Sequence, residues 1–352
     1  MLRIVMAYLR SLYLTITRVQ NTVSGQSDPV NPLLCRMAHD RIRNILMNAS
    51  LIILNWNSKE LMARNLPSVV AAARWDGGNH EVIVVDNGSN DGSCPWVRAN
   101  LPDVRLIQLS RNRGFGSGNN HGVQIATGDI VVLLNTDMEV APNFLSELLP
   151  HFACDNVFAV GGKMLKPNGE LAFANRTRAK IHGGLLTIDS EFDPTALNEP
   201  SEQFHAQGGG SAFHREKFLT LGGFDPLFDP GYWEDVDLSC RAREQGWRIM
   251  YEPKSIIYHT EHGSTQGRLL FLIALVHRNR WLFHFKHTAN CCTLGPQIMA
   301  ATRLMLTELL QERFTTLLGL TWTLTKLHRL LISRVRHSPA CSLRHLTIPR
   351  IG

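Results

Sequence analysis

The stretch 131-VVLLNTDMEV-140 governs how the rest of the chain is read. Val131 to Leu134 are too uniformly apolar for a half-exposed strand, and Val131 to Asn135 are expected to form one covered on both faces. Polar and acidic residues follow at once, with Asp137 and Glu139 one residue apart. Carboxylate oxygens at the end of a buried strand are hard ligands suited to Mg²⁺ or Mn²⁺, and so to a metal-bound diphosphate. The plainer reading is a capped strand end ahead of a helix opened by Pro142.

Upstream, the same pattern recurs. The runs 49-ASLIILN-55, 81-EVIVVD-86 and 104-VRLIQL-109 read as strands. Between them, 58-SKELMARNLPSVVAAA-73 carries Leu61, Asn65, Leu66 and Val69 at helical spacing, with Ser58 placed to cap its start. Gly116 to Ala126 predict a further helix, and 87-NGSNDGS-93 a turn-rich loop. Strands alternating with helices imply an α/β fold with a mainly parallel, Rossmann-like sheet and helices on both faces. Ligands of such sheets sit beyond the carboxyl ends of the strands. Asn55, Asp86 and Asp137 each fall at such an end.

Downstream, 157-FAVGGKMLKPNGEL-171 reads as a strand and turn, and residues 174–203 as a long loop. A helix is expected from Arg215 to a Gly-Gly stop at 222–223, then a helix over 234–247. Strands follow at 248–253 and 255–259, and helical, basic sequence runs from 268 onward. Three regions result: an extension over 1–46, a main domain over 47–267 and a basic helical region over 268–352.

The bulk composition sets limits. With 352 residues, 44% hydrophobic and 19% charged, the chain is long enough to bury a large core. A net charge of +6 fits an anionic partner, whether a nucleotide, a phospholipid surface or nucleic acid; of these, nucleic acid is not the partner expected. Seven cysteines without a C-x-x-C pair suggest reduced thiols and a cytoplasmic location. No apolar run approaches the ~20 residues of a spanning helix. The N-terminal 19 residues, broken by Arg3, Arg10 and Arg18, read as a basic amphipathic surface helix, and 20–46 as a linker, with Met47 as the expected biological start.

Other residues invite chemistry. Asp86 either hydrogen-bonds its own turn or accepts from a base or ribose. Arg111, Asn112, Arg113 and Gly114 offer phosphate contacts, since glycine lets backbone N–H groups approach and arginine pairs with phosphate. Gly116, Gly118 and Gly122 approximate a dinucleotide fingerprint, but the spacing is not G-x-G-x-x-G and the run follows a third strand. Glu234, Asp235 and Asp237 open a helix, where acids meet its dipole favourably. One of them is also a candidate general base beside Tyr232 and Trp233, which can stack on a sugar ring. His259 and His262 end a late strand and are structural histidines or metal ligands.

With these residues in view, the chain resembles the bacterial inverting glycosyltransferases of family 2, with a GT-A fold, in particular the rhamnosyltransferase-like members. The resemblance covers roughly residues 49–287. It rests on 52-IILNWNSKE-60, 82-VIVVDNGSNDGS-93, 112-NRGFGSGNN-120, 133-LLNTDMEV-140, 222-GGFD-225, 233-WEDVDLSCRAREQGW-247 and 258-YH-259. It implies a nucleotide-sugar donor (dTDP-, UDP- or GDP-linked) with Mg²⁺ or Mn²⁺. Carried over by position, Asn55, Asn57, Asp86 and Asn87 meet the nucleotide. Arg113 and Gly114 lie near base or phosphate, and Asn135, Trp233 and Glu234 line the donor side. Asp137 binds the metal and Asp235 is the catalytic base. The family's metal motif is often Asp-x-Asp, and here Glu139 stands in the second place, so Asp137 ranks above it. His259 or His262 is the third ligand.

The acceptor implied is a hydroxyl of a saccharide or a polyprenyl-linked saccharide, in cell-surface polysaccharide synthesis. The basic, aromatic 277-HRNRWLFHFKH-287 suits peripheral contact with the inner face of an anionic membrane, or else a helix packed on the protein. Two rival functions remain at this stage. A nicotinamide-dependent oxidoreductase uses the glycine run and needs no Asp235; a non-catalytic nucleotide-sugar-binding protein binds donor without turnover.

Overall fold

The computed structural model describes residues 47–75, 77–172, 175–182, 185–260 and 269–287, with scattered positions from 319 to 333. The expectations for 1–46, and His262 as a ligand, lie outside these.

A single mixed sheet organises the molecule. Its strands are β1 (Ala49–Asn55), β2 (Glu81–Asp86), β3 (Arg105–Gln108), β4 (Ile130–Asn135), β5 (Met138–Val140), β6 (Val157–Leu165), β9 (Ser201–Glu202), β10 (Ser211–His214) and β11 (Arg248–His259). The order is β3-β2-β1-β4-β10-β6-β11-β5, with β9 beside β11. The β3-β2-β1-β4 block is parallel, and β10 enters antiparallel between β4 and β6. Strands β7 (Thr177–His182) and β8 (Leu185–Ser190) form a separate antiparallel pair.

The helices are α1 (Lys59–Trp75), α2 (Ser93–Asn100), α3 (Phe115–Ile125), α4 (Phe144–Leu148), α5 (Arg215–Thr220), α6 (Glu234–Glu244) and α7 (Leu269–His287). Alternation along the central strands splits the core in two. Leu51, Ile53, Val132 and Leu134 join α1, α2 and α4 on one face. Ile52, Val131 and Leu133 join Val123 of α3, Phe218 of α5 and Leu238 of α6 on the other. Both faces are covered, which is why the strands read as unbroken apolar runs.

Several expectations are adjusted. Ser58 does not cap α1 with its hydroxyl, which donates to the Trp56 carbonyl; the Lys59 N–H goes instead to Asp91 Oδ2 at 2.8 Å. The 87–93 loop runs into a short helix, α2, and the 174–203 loop contains the β7-β8 hairpin. The two late strands are one, β11, whose register against β6 shifts between Glu252 and Ile256, around Pro253. The Gly-Gly stop is present: Gly222 and Gly223 both have positive φ, and their N–H groups close the end of α5 onto Leu219 and Phe218.

Helix α7, placed by the sequence beyond the main domain, belongs to the same compact unit, residues 46–352. Leu282 and Phe283 pack with Leu227, Phe228, Val236 and Cys240. Its basic groups face inward: Lys286 Nζ lies 2.6 Å from Asp225 and 2.8 Å from Asp237, and His287 Nε2 2.9 Å from Asp237. Among the described residues no helix is long and apolar enough to cross a membrane.

Candidate active site

The carboxyl ends of β1, β2 and β4 lie side by side, with Asn55 opposite Asp86 and Asn135 opposite Leu54. Asn55 is buried and donates through Nδ2 to Asp86 Oδ1 (2.9 Å) and Ser89 Oγ (3.1 Å). Asp86 accepts a second bond, from the Ser89 N–H at 3.0 Å, so it does close its own turn. Asn57 adopts positive φ (50°), and its Oδ1 accepts the Asn90 N–H. Asn87 ties this end to the next loop: Nδ2 donates to Asn112 Oδ1 and the Gly114 carbonyl, and Oδ1 accepts the Arg113 N–H at 2.9 Å. The Arg113 side chain is exposed at the rim.

The glycines after Arg113 serve mainly packing. A Cβ on Gly118 would lie 2.6 Å from Leu54, and one on Gly122 2.6 Å from Ile52, so α3 rides directly on β1. Gly114 (φ 89°) leaves room for Asp229, whose carboxylate accepts from Ser117 Oγ at the start of α3. The dinucleotide-like spacing is thus a helix-to-strand contact.

Asp137 sits in the turn after β4 and is buried; its Oδ1 receives no hydrogen bond. Pairing of β5 with β11 places His259 opposite Met138 and brings His259 Nε2 to 3.5 Å from that oxygen. His259 Nδ1 is likewise buried without a hydrogen-bond partner. A buried carboxylate oxygen and an imidazole aimed at one point fit a divalent cation, with positions left for diphosphate oxygens and water. Glu139 does not join them. It is exposed on β5 between the inward Met138 and Val140. Residues two apart share a face only within a strand, and Asp137 precedes the strand, in the turn. Among the described residues no group of three or more His, Cys, Asp or Glu is assembled as a metal site.

The opposite wall is the start of α6. Tyr232 and Trp233 both take positive φ (73° and 72°) just before it. Two such residues in succession are costly and persist only where neighbours hold them. Trp233 packs on Phe283 of α7 at 5.2 Å, and Tyr232 is exposed. Asp235 is half-buried; Oδ2 accepts the Gly208 N–H at 3.0 Å, and Oδ1 the Val236 N–H at 2.8 Å. Glu234 is buried with an unbonded Oε2, and burial, reinforced by the Asp235 charge, pushes its carboxyl well above the usual range. Burial therefore favours the protonated form of Glu234. Asp237, by contrast, is structural. Its burial is outweighed by Lys286, Arg241 and His287, which hold it well below the ordinary carboxylate range.

One segment links the two walls. Gly208 binds Asp235, and a Cβ on the next residue, Gly209, would lie 2.6 Å from the Asn135 amide, two residues before Asp137. Gly210 (φ 97°) donates to the Leu133 carbonyl at 2.7 Å. Sequence reasoning passed over 208-GGG-210, although three consecutive glycines ahead of a strand signal close backbone approach.

Residues 50–222 match the family model described as Glycosyl transferase family 2. The chain carries a family 2 glycosyltransferase domain. This domain is 28% identical over 226 residues to the N-acetylglucosaminyl-diphospho-decaprenol L-rhamnosyltransferase of Mycobacterium tuberculosis, covering 57% of this chain and 73% of the relative. It is 29% identical over 231 residues to the succinoglycan biosynthesis protein ExoO of Rhizobium meliloti, covering 62% of each. With the O-antigen biosynthesis protein RfbC of Myxococcus xanthus it shares 28% over 231 residues, 62% of this chain but 18% of that one. Among solved structures, GalNAc-T7 with UDP, GalNAc and Mn²⁺ superposes with a TM-score of 0.52 at 18% identity, over 70% of this chain and 49% of that protein. The glycosyltransferase domain thus has the GT-A fold, and sugar transfer is its activity class. The nicotinamide reading loses its ground, because the glycine run packs α3 on β1.

Proposed function

We propose that the enzyme transfers a hexosyl group, rhamnosyl in the first instance, from a nucleoside-diphosphate sugar to a hydroxyl of a polyprenyl-linked saccharide, with inversion. The observation that carries this reading is the Gly208–Gly210 segment, which touches the Asp235 carboxylate at one end and the Asn135 side chain beside Asp137 at the other. A carboxylate base and a diphosphate site on either side of one narrow loop suit a single in-line displacement. Relatives named for rhamnosyl transfer to a lipid-linked sugar and for polysaccharide synthesis support the substrate class.

The residues divide the work. Asn55, Asp86 and Asn87, with Asn57, offer polar atoms and backbone to the nucleoside, and Arg113 and the Gly114 backbone stand at the rim for the base or phosphates. Asn135, Trp233 and Glu234 line the sugar. Asp137 and His259 would hold Mg²⁺ or Mn²⁺, which neutralises charge developing on the departing diphosphate. Asp235, fixed by two backbone N–H groups, takes the acceptor's proton. The cation and Asp235 are proposed for opposite faces of the sugar, so no covalent enzyme intermediate is required.

A thermal-shift screen of dTDP-L-rhamnose, UDP-hexoses and GDP-hexoses with Mn²⁺ tests the donor site; stabilisation by none of them would sink it. Asp235→Asn is expected to bind the stabilising donor as wild type does while losing at least a hundredfold in transfer. Transfer near the wild-type rate would assign the base elsewhere.

A further inference from the structure

Helix α7 lies outside the family-matched residues, yet it reaches the backbone that leads into Asp235. Asn279 is fully buried, and its Nδ2 lies 2.7 Å from the Phe228 carbonyl, 2.7 Å from that of Gly231 and 2.8 Å from that of Tyr232. Its neighbour Arg278 is also buried. Arg278 Nε donates to Asn279 Oδ1 at 2.8 Å, which turns the amide so that its N–H groups face those carbonyls. Arg278 Nη2 donates to the Asp229 carbonyl at 2.6 Å, and the guanidinium stacks 4.4 Å over Trp322.

The segment held in this way has unusual work to do. Tyr232 and Trp233 sit in the left-handed region, and Asp235 follows two residues later. At its other end, Asp229 accepts from Ser117 of α3, and the Phe115 N–H donates to the Pro230 carbonyl at 2.8 Å. Residues 228–232 therefore join the Gly114 loop on the donor side to the α6 start on the base side. A buried asparagine that spends both N–H groups on carbonyls of one loop fixes that loop's path more than it adds stability, since each neutral hydrogen bond replaces one to water.

We infer that Asn279, oriented by Arg278, is a positioning residue for transfer, setting the place of Asp235 relative to the bound donor through the 228–232 carbonyls. This rests on the reading of Asp235 as base. Without the clamp, the left-handed pair is free to relax and Asp235 leaves its hydrogen bond with Gly208. A shift of about 1 Å in a reacting group is enough to cost on the order of a hundredfold in rate.

The test uses the full chain and the donor that best stabilises wild type in the screen above, with Mn²⁺. Asn279→Asp keeps the side chain's size and removes both donors. Its kcat is expected to fall at least tenfold while the Kd for the donor stays within threefold, and hydrogen exchange is expected to quicken at residues 228–236. Val82→Ala, a cavity at the far end of β2, serves as the control for simple destabilisation and should leave kcat unchanged below its Tm. Wild-type kcat in Asn279→Asp, an equal loss in Val82→Ala, or a kcat loss matched by a rise in Kd would overturn the inference. Should Asn279→Asp not fold, Arg278→Lys decides. Lysine retains the charge but lacks the Nε–H that orients the amide, so a kcat loss of threefold or more at unchanged Kd supports the clamp, and an unchanged kcat refutes it. Loss of transfer in Asp235→Asn with none in Asn279→Asp would reject the clamp alone; normal transfer in Asp235→Asn would reject the base itself.

Discussion

His259 Nε2 stands 3.5 Å from Asp137 Oδ1, brought there by the antiparallel pairing of β5 with β11. The two groups are too far apart for a good hydrogen bond and well placed to share a cation. Asp137→Asn should therefore abolish Mn²⁺-dependent stabilisation by donor, and His259→Ala should weaken apparent Mn²⁺ affinity at least tenfold. Glu139→Gln, altering an exposed side chain, should remain within threefold of wild type. A Mn²⁺ titration followed by thermal shift distinguishes the three; a large effect at Glu139 would restore it as a ligand.

Glu234 yields a stability prediction with a definite sign. Its folded-state carboxyl titrates well above its ordinary value because it is buried beside Asp235. Between the unfolded and folded values the unfolded chain releases a proton that the folded protein keeps, so stability falls as pH rises through that window. Glu234→Gln removes this dependence. The variant should match wild type near pH 4.5 and exceed its Tm increasingly toward pH 8, as read by calorimetry. A variant less stable than wild type at pH 8 would contradict the buried neutral acid.

His287 shows how α7 is fastened. Burial alone would lower its pKa, but the hydrogen bond to Asp237 and the Glu244 carboxylate 3.7 Å away outweigh that and raise it. A raised imidazole contributes fully below its unfolded pKa of about 6.5, and the contribution is lost as pH climbs through the folded value. The Tm advantage of wild type over His287→Gln should hence be largest at pH 6 and shrink above neutrality. Removing Lys286 is the harsher change, because Asp225 and Asp237 would remain buried with less compensation. Lys286→Met is expected to cost about 3–5 kcal/mol in urea unfolding.

Gly88 carries two constraints at once. Its φ is 79°, and a Cβ there would lie 2.7 Å from the Arg111 backbone. Gly88→Ala should cost ~2–4 kcal/mol from left-handed strain and overpacking together. It should also push the 111–113 loop outward and weaken donor affinity, measured by calorimetric titration. A neutral Gly88→Ala would mean that the two loops are not in contact.

Much of this architecture is legible in the chain. Strands β1, β2 and β4 are visible because both their faces are buried and their apolar runs stop at polar residues, which marks Asn55, Asp86 and Asp137 as site-facing ends. The β7-β8 hairpin escaped notice although 177-TRAKIHGGLLTIDS-190 places two glycines between alternating segments, a pattern that favours a two-residue turn. Asp137 and Glu139 are closely spaced acids in the sequence, but Asp137 is buried in the turn after β4 whereas Glu139 is exposed on β5, a separation that their spacing alone does not reveal. The contacts of Gly208 with Asp235, and of Asn279 with the 228–232 carbonyls, join positions 27 and about 50 apart. No local periodicity encodes such pairings; they follow from how the elements pack.

The ion cluster of Asp225, Asp237, Lys286 and His287 also bears on where the chain can be cut. A boundary after residue 267, suggested by the change to basic helical sequence, would strip two cations from two carboxylates in the interior and unhook the backbone ahead of Asp235. The smallest piece of this protein worth expressing for transfer therefore runs past His287, because the helix that looks like a tail holds two interior carboxylates and the backbone at the start of α6.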